Sequence, residues 1–142
     1  AVYVKDILDN VNGLKSIFDP ANYVLCGQNI KDAMDNLITN TDYIHIKDAL
    51  FSGEVVPSGY GDCKIEEMIL RLNTRGNSFK VLSIEPHLRV FSGYGNIDKH
   101  KLKNKFLFEN NNDAFDFAVN ALKRILIKLG FKERNEDWVL SN

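Results

Sequence analysis

The chain has 142 residues, 44% hydrophobic and 26% charged, a composition that fits one ordinary globular domain and excludes a disordered chain. Eighteen basic and nineteen acidic side chains leave a formal charge of -1, so there is no electrostatic case for a nucleic-acid or anionic-membrane partner. Two cysteines, Cys26 and Cys63, make neither a disulfide framework nor a Cys-rich zinc site, and no stretch approaches the roughly 20 apolar residues that span a bilayer.

Ala1-Val2-Tyr3-Val4-Lys5-Asp6 lacks the charged-then-apolar layout of a signal peptide, and Ile7, Leu8 and Val11 set a short helical pattern from the start. With both cysteines read as reduced, a cytoplasmic protein is expected. Asn12-Gly13 breaks the helix, and Leu14 to Phe18 reads as a first strand, followed by a polar turn, Asp19-Pro20-Ala21-Asn22. Asn29 is a plausible N-cap for a helix carrying Ile30, Ala33, Met34 and Leu37 on one face. Tyr43 to Ala49 is the second strand. The loop from Ser52 to Gly61 leads to Asp62, read as the N-cap of a helix with Ile65, Met68, Ile69 and Leu72 as its stripe.

Arg75-Gly76-Asn77-Ser78 turns the chain into a third strand, Phe79 to Ile84. From Pro86 to Asn111 the sequence is irregular, with Phe91, Tyr94, Phe106 and Phe108 scattered through it. A last helix carries Phe115, Ala118, Leu122, Ile125 and Leu129 as its stripe and ends at Gly130; Trp138 is expected to pack back on the domain. Lys123, Arg124, Lys128, Lys132 and Arg134 cluster near its exit, where cations suit the helix dipole better than they mark a binding patch. The order is α, β-α, β-α, β-α in a single domain spanning residues 1–142. Strands recur every ~30 to 40 residues, the length of a βαβ unit, and read apolar nearly throughout, as parallel strands covered on both faces do.

Three residues close these apolar runs: Asp19, His45 and Glu85. In a parallel α/β protein the strand ends share one rim, where such folds build their sites. Each has an ordinary explanation: a turn Asp before Pro, a buried histidine satisfied by a hydrogen bond, a rim carboxylate. Together they carry more, because two carboxylates brought together repel unless a divalent cation joins them with the imidazole. Lys47-Asp48 adds charge at the same rim, either as a strand-end salt bridge or as an anchor for substrate hydroxyl or phosphate groups. His87 could orient substrate or donate to a carboxylate that supports a ligand. Gly59-Tyr60-Gly61-Asp62 has the spacing of neither a P-loop nor a dinucleotide fingerprint, and is read as a mobile loop feeding a helix.

Tyr43-Ile44-His45-Ile46-Lys47-Asp48-Ala49, Gly59-Tyr60-Gly61-Asp62 and Leu82-Ser83-Ile84-Glu85-Pro86-His87 together resemble the C-terminal part of the xylose isomerase-like TIM barrels, across roughly Leu14 to Gly130. That superfamily includes sugar phosphate isomerases/epimerases and endonuclease IV. The resemblance implies a metal held by Asp19, His45 and Glu85 together with a further glutamate, and Glu85 acting as catalytic acid/base. It implies Mn, Mg, Co or Zn as the divalent ion, and proton transfer next to a metal-polarised carbonyl of a sugar or sugar phosphate. Asn22 stands where ketose epimerases often carry a histidine, and with Lys47 and His87 is expected to bind substrate.

The fold expected is a partial (β/α)8 barrel: its last three βα units with a preceding helix, since a whole barrel takes about 250 residues. The other glutamate is expected on an upstream strand. The chain is therefore expected to be inactive alone and to oligomerise or to associate with the N-terminal part of a barrel. An endonuclease IV-like phosphodiesterase fits less well, given three histidines and a charge of -1. A non-catalytic module that oligomerises through its open sheet edges, with a vestigial site, is the remaining reading.

Overall fold

The computed structural model describes residues 1–74, 81–89 and 105–140. Helix α1 spans Val2–Asn10, strand β1 Ser16–Phe18, α2 Pro20–Leu25 and α3 Ile30–Leu37; a single 3-10 turn, Ile38–Asn40, leads into β2, Thr41–Ile46. Two short strands follow, β3 (Asp48–Ala49) and β4 (Val55–Val56), then α4 (Ile65–Asn73), β5 (Val81–Ile84), α5 (Asn111–Lys128), and a hairpin of β6 (Phe131–Arg134) and β7 (Asp137–Leu140).

The protein is mixed α/β, built on a small parallel sheet in the order β1-β2-β5. Phe18 pairs with Ile44 and Ile44 with Leu82; His45 pairs with Ser83 and Ile46 with Ile84. Because side chains alternate along a strand, Phe18, Ile44 and Ile46 point to one face and are fully buried there. Against them pack Ala21 and Val24 of α2, Met34 and Leu37 of α3, Met68 and Leu72 of α4, and Leu122 and Ile125 of α5. On the other face Ile17, Tyr43 and Val81 stand in register across all three strands, and remain 58%, 37% and 36% exposed. Among the described residues the sheet is thus covered on one face, where coverage of both was expected.

The helical stripes of α3 and α4 fall where periodicity puts them, with all four expected residues of each buried, and Asn29 caps α3 by accepting from the Lys31 and Asp32 amides. Elsewhere the structure corrects the reading. The Asp19-Pro20 turn is the start of α2: Asp19 is its N-cap and Pro20 its first residue, where a fixed φ and a missing N–H cost nothing. The first strand begins at Ser16, and Leu14 is exposed.

The second strand begins at Thr41 and stops at Ile46; Asp48 and Ala49 turn off to pair antiparallel with Val56 and Val55. Asp62 is not a helix cap, for α4 begins only after Lys64, which has a left-handed backbone, and the Asp62 carboxylate accepts from the Phe51 amide instead. In α1 Leu8 is buried, but Ile7 and Val11 are exposed. In α5 Ala118, Leu122 and Ile125 are buried while Phe115 is exposed, with Ala114 and Ala121 completing the inner face. Gly130 follows the helix with φ +88°, and Trp138 packs on the core from β7. The turn at 75–78, residues 79–80 of the third strand, and Phe91 and Tyr94 lie outside the described residues.

Three residues of the basic cluster are engaged separately. Lys128 pairs with Glu66 at 2.7 Å and Lys123 with Glu133 at 3.6 Å, while Arg124 lies over the Phe117 ring. No helix among the described residues is long and apolar enough to cross a membrane.

Candidate metal centre

The alternation that buries Phe18, Ile44 and Ile46 sends the residues next to them to the opposite face. Asp19 immediately follows β1, His45 lies near the end of β2, and Glu85 immediately follows β5, its amide bonded to the Ile46 carbonyl at 3.2 Å. All three emerge on the face away from the helices, at the C-terminal end of the sheet. One ligand atom from each lies within 4.8 Å of the others. The His45 Nδ1 stands 3.3 Å from the Glu85 Oε2.

The group grades from interior to solvent. Asp19 is buried, the His45 side chain is 24% exposed and that of Glu85 39%. His45 is therefore not the enclosed core histidine that its apolar neighbours allow; its ring meets Tyr43 edge-on at 5.6 Å. Asp19 is the most firmly held. Its Oδ1 accepts from the Ala21 and Asn22 amides at 3.0 and 3.3 Å, and its Oδ2 receives the Lys47 ammonium at 2.8 Å. Burial, with the Asp19 carboxylate adding to it, pushes the Tyr23 phenol above its ordinary pKa, and its ring stacks on Phe18 at 5.2 Å. Tyr23 was not anticipated as part of this surround; its position four residues after a helix cap, one turn along the same face, is the signal that could have found it.

The remaining expected residues divide. Asn22 is exposed and its Oδ1 accepts from Lys47 at 3.3 Å, so Lys47 is tied to both Asp19 and Asn22. Lys47 does not pair with its neighbour Asp48 in a strand-end bridge. Asp48 leaves the rim altogether: it is buried, and its carboxylate accepts from the amides of Ala49, Gly59, Gly61 and Cys63. The Gly59–Asp62 loop is thereby pinned through its backbone. His87 is exposed, has a positive φ of 45°, and is not one of the three grouped ligands.

The donor set suits a divalent ion. Two carboxylates and an imidazole are the hard-to-borderline mixture that Mn, Mg, Co and Zn accept. Ligands bound ~2.1 Å from one ion stand about 3 to 3.5 Å from each other, which the His45–Glu85 spacing meets. Asp19 Oδ1 is used by the two capping amides, so an ion would bind at Oδ2, the oxygen that the Lys47 ammonium already occupies.

The chain matches no family model, no curated protein and no solved structure.

Proposed function

We propose that the chain supplies three ligands of a divalent-metal centre in a metal-dependent sugar or sugar-phosphate isomerase/epimerase. Its parallel strands are read as consecutive βα units of a (β/α)8 barrel of the xylose isomerase-like type. The observation that carries the reading is the convergence of Asp19, His45 and Glu85 on one face at the ends of three adjacent parallel strands. Strands that neighbour each other in chain order, with helices among the described residues on one face, suit a singly wound barrel better than a doubly wound sheet.

In this reading Asp19, fixed by the α2 cap and Lys47, is the anchoring ligand. His45 is aimed by its place on β2. Glu85, the most open of the three, has the freedom to take a proton from a substrate carbon and return it. Bound here, a divalent ion would stabilise negative charge developing on an adjacent carbonyl oxygen. Asn22 and His87, both exposed near the rim, serve substrate hydroxyl groups.

Calorimetric titration of the protein with Mn2+ tests the reading. One ion per chain should bind, and Asp19→Asn and His45→Ala should each lose it. Equal binding by His45→Ala, or none by the unaltered protein, would remove the basis for a metal centre. The exposed row Ile17, Tyr43 and Val81 favours a second reading, a module that self-associates through this face; a monomer at every concentration in sedimentation would exclude it.

A further inference from the structure

Lys47 is a feature of this rim that a metal centre does not need. Its side chain and that of Asp19 are each only 8% exposed, and its ammonium lies 2.8 Å from Asp19 Oδ2, the oxygen that the helix cap leaves free for a ligand. A buried carboxylate without a counter-charge is costly, and the two capping amides are dipoles, not charges. The ammonium therefore balances Asp19 when no other cation is there. A divalent ion drawn to Oδ2 meets this positive charge at close range in a poorly hydrated setting, where repulsion is strong. Asn22 Oδ1, 3.3 Å from the same ammonium and at an exposed position, offers Lys47 a second resting place if it yields Asp19.

We propose that Lys47 is the resident counter-cation of Asp19: a positioning residue that neutralises the carboxylate in the metal-free protein, competes with a divalent ion for Oδ2, and so sets the affinity of the centre. This rests on the metal-centre reading above. The protein is charge-balanced at this point without metal, and its affinity is held below what the three ligands alone would give. Metal entry and release of Lys47 toward Asn22 are one event.

The test is Mn2+ titration, by calorimetry and by thermal melting, of the unaltered protein, Lys47→Gln and Lys47→Arg. Lys47→Gln keeps an N–H donor for Asp19 and loses the charge; it should bind Mn2+ roughly tenfold or more tightly, melt lower than the unaltered protein without metal, and gain more from its addition. Lys47→Arg keeps the charge and should stay within a few-fold of the original affinity. In an Asp19→Asn background Lys47→Gln should restore no binding, since the effect of Lys47 acts through the Asp19 carboxylate.

A folded Lys47→Gln that binds Mn2+ no more tightly, while the unaltered protein binds it through Asp19, overturns the role of Lys47 and leaves the metal centre standing. Binding by no variant removes both. If Lys47→Gln does not fold, the unaltered protein still decides. Acetylation of Lys47, read by mass spectrometry, should become faster when Mn2+ is present, and an unchanged rate overturns the proposal.

Discussion

Gly61 has no room for a side chain because the Asp48 carboxylate occupies the space beside it. A Cβ there would lie 2.7 Å from Asp48 Cγ and 2.6 Å from the Ala49 carbonyl oxygen, and would collide with Asp48 Oδ1. The carboxylate cannot retreat, since it accepts from the Gly59 amide at 2.8 Å and the Cys63 amide at 3.1 Å, and Asp48 is itself buried. Gly61→Ala should therefore cost about 3 kcal/mol, at the upper end of what overpacking imposes. Chemical denaturation measures it; a cost below about 1 kcal/mol would show that the loop relaxes around the methyl group.

Asp48 also predicts an uncommon pH dependence. Burial pushes its pKa above the ordinary value of 3.8, and the Cys63 thiol with the amide donors of Gly59, Cys63 and Gly61 only partly pulls it back. A carboxyl group with a raised folded-state pKa holds its proton more tightly folded than unfolded, so its contribution to stability is present below the unfolded value and lost as pH rises through the folded one. Relative to Asp48→Asn, the unaltered protein should gain stability as pH is lowered toward 3.8. Urea melts of both proteins at several acid pH values measure the difference. A gap that moves the other way would mean that the amides outweigh burial. Asp48→Ala, which orphans the Gly59, Gly61 and Cys63 amides, should lose about 3 kcal/mol or more at any pH.

The two thiols should separate cleanly. Cys63 is buried, accepts from the Ala49 amide at 3.3 Å, and is pushed well above the ordinary thiol range by burial and by the nearby Asp48 carboxylate. Cys26 is exposed. Reactivity follows the accessible thiolate, so a disulfide reagent should modify one thiol in the native protein and two in denaturant. Cys26→Ser should leave the native protein unreactive; a second native thiol would mean that the loop over Cys63 opens readily.

Much of this arrangement was legible because it rests on periodicity. The stripes Ile30–Leu37 and Ile65–Leu72 are long enough for a helical period to declare itself, and the parity of Asp19, His45 and Glu85 relative to Phe18, Ile44 and Ile84 puts them on a common face. The failures come where local signals are ambiguous. Asp-Pro is equally a turn and an N-cap followed by a first helical residue, and α2 has only six residues, too few to show a stripe. The β3–β4 pair has two residues in each strand, below any periodic signal, so Asp48 read as a rim residue rather than as the buried acceptor that holds the loop. The β6–β7 hairpin turns through Asn135 and Glu136, with φ of 49° and 70°, where Asn-Gly would have announced it. The ion pair of Lys47 with Asp19 joins the residues that follow two different strands, and only the pairing of those strands brings them together.

The sheet itself supplies the last prediction. Adjacent residues Ile17 and Phe18 point to opposite faces, one toward solvent and one into the core formed with Tyr23, Ile44 and the helices. Removing the Phe18 ring deletes a fully buried side chain and leaves a cavity, so Phe18→Ala should cost about 3 to 5 kcal/mol. Ile17→Ala removes an exposed side chain and should cost less than about 1 kcal/mol. Equilibrium denaturation of the two variants at low protein concentration makes the comparison. If Ile17→Ala costs as much as a core truncation, the outer face is covered in solution, and repeating the melts over a range of protein concentrations shows by what. A cost that grows with concentration puts a second copy of the chain on that face, since only association makes stability depend on concentration.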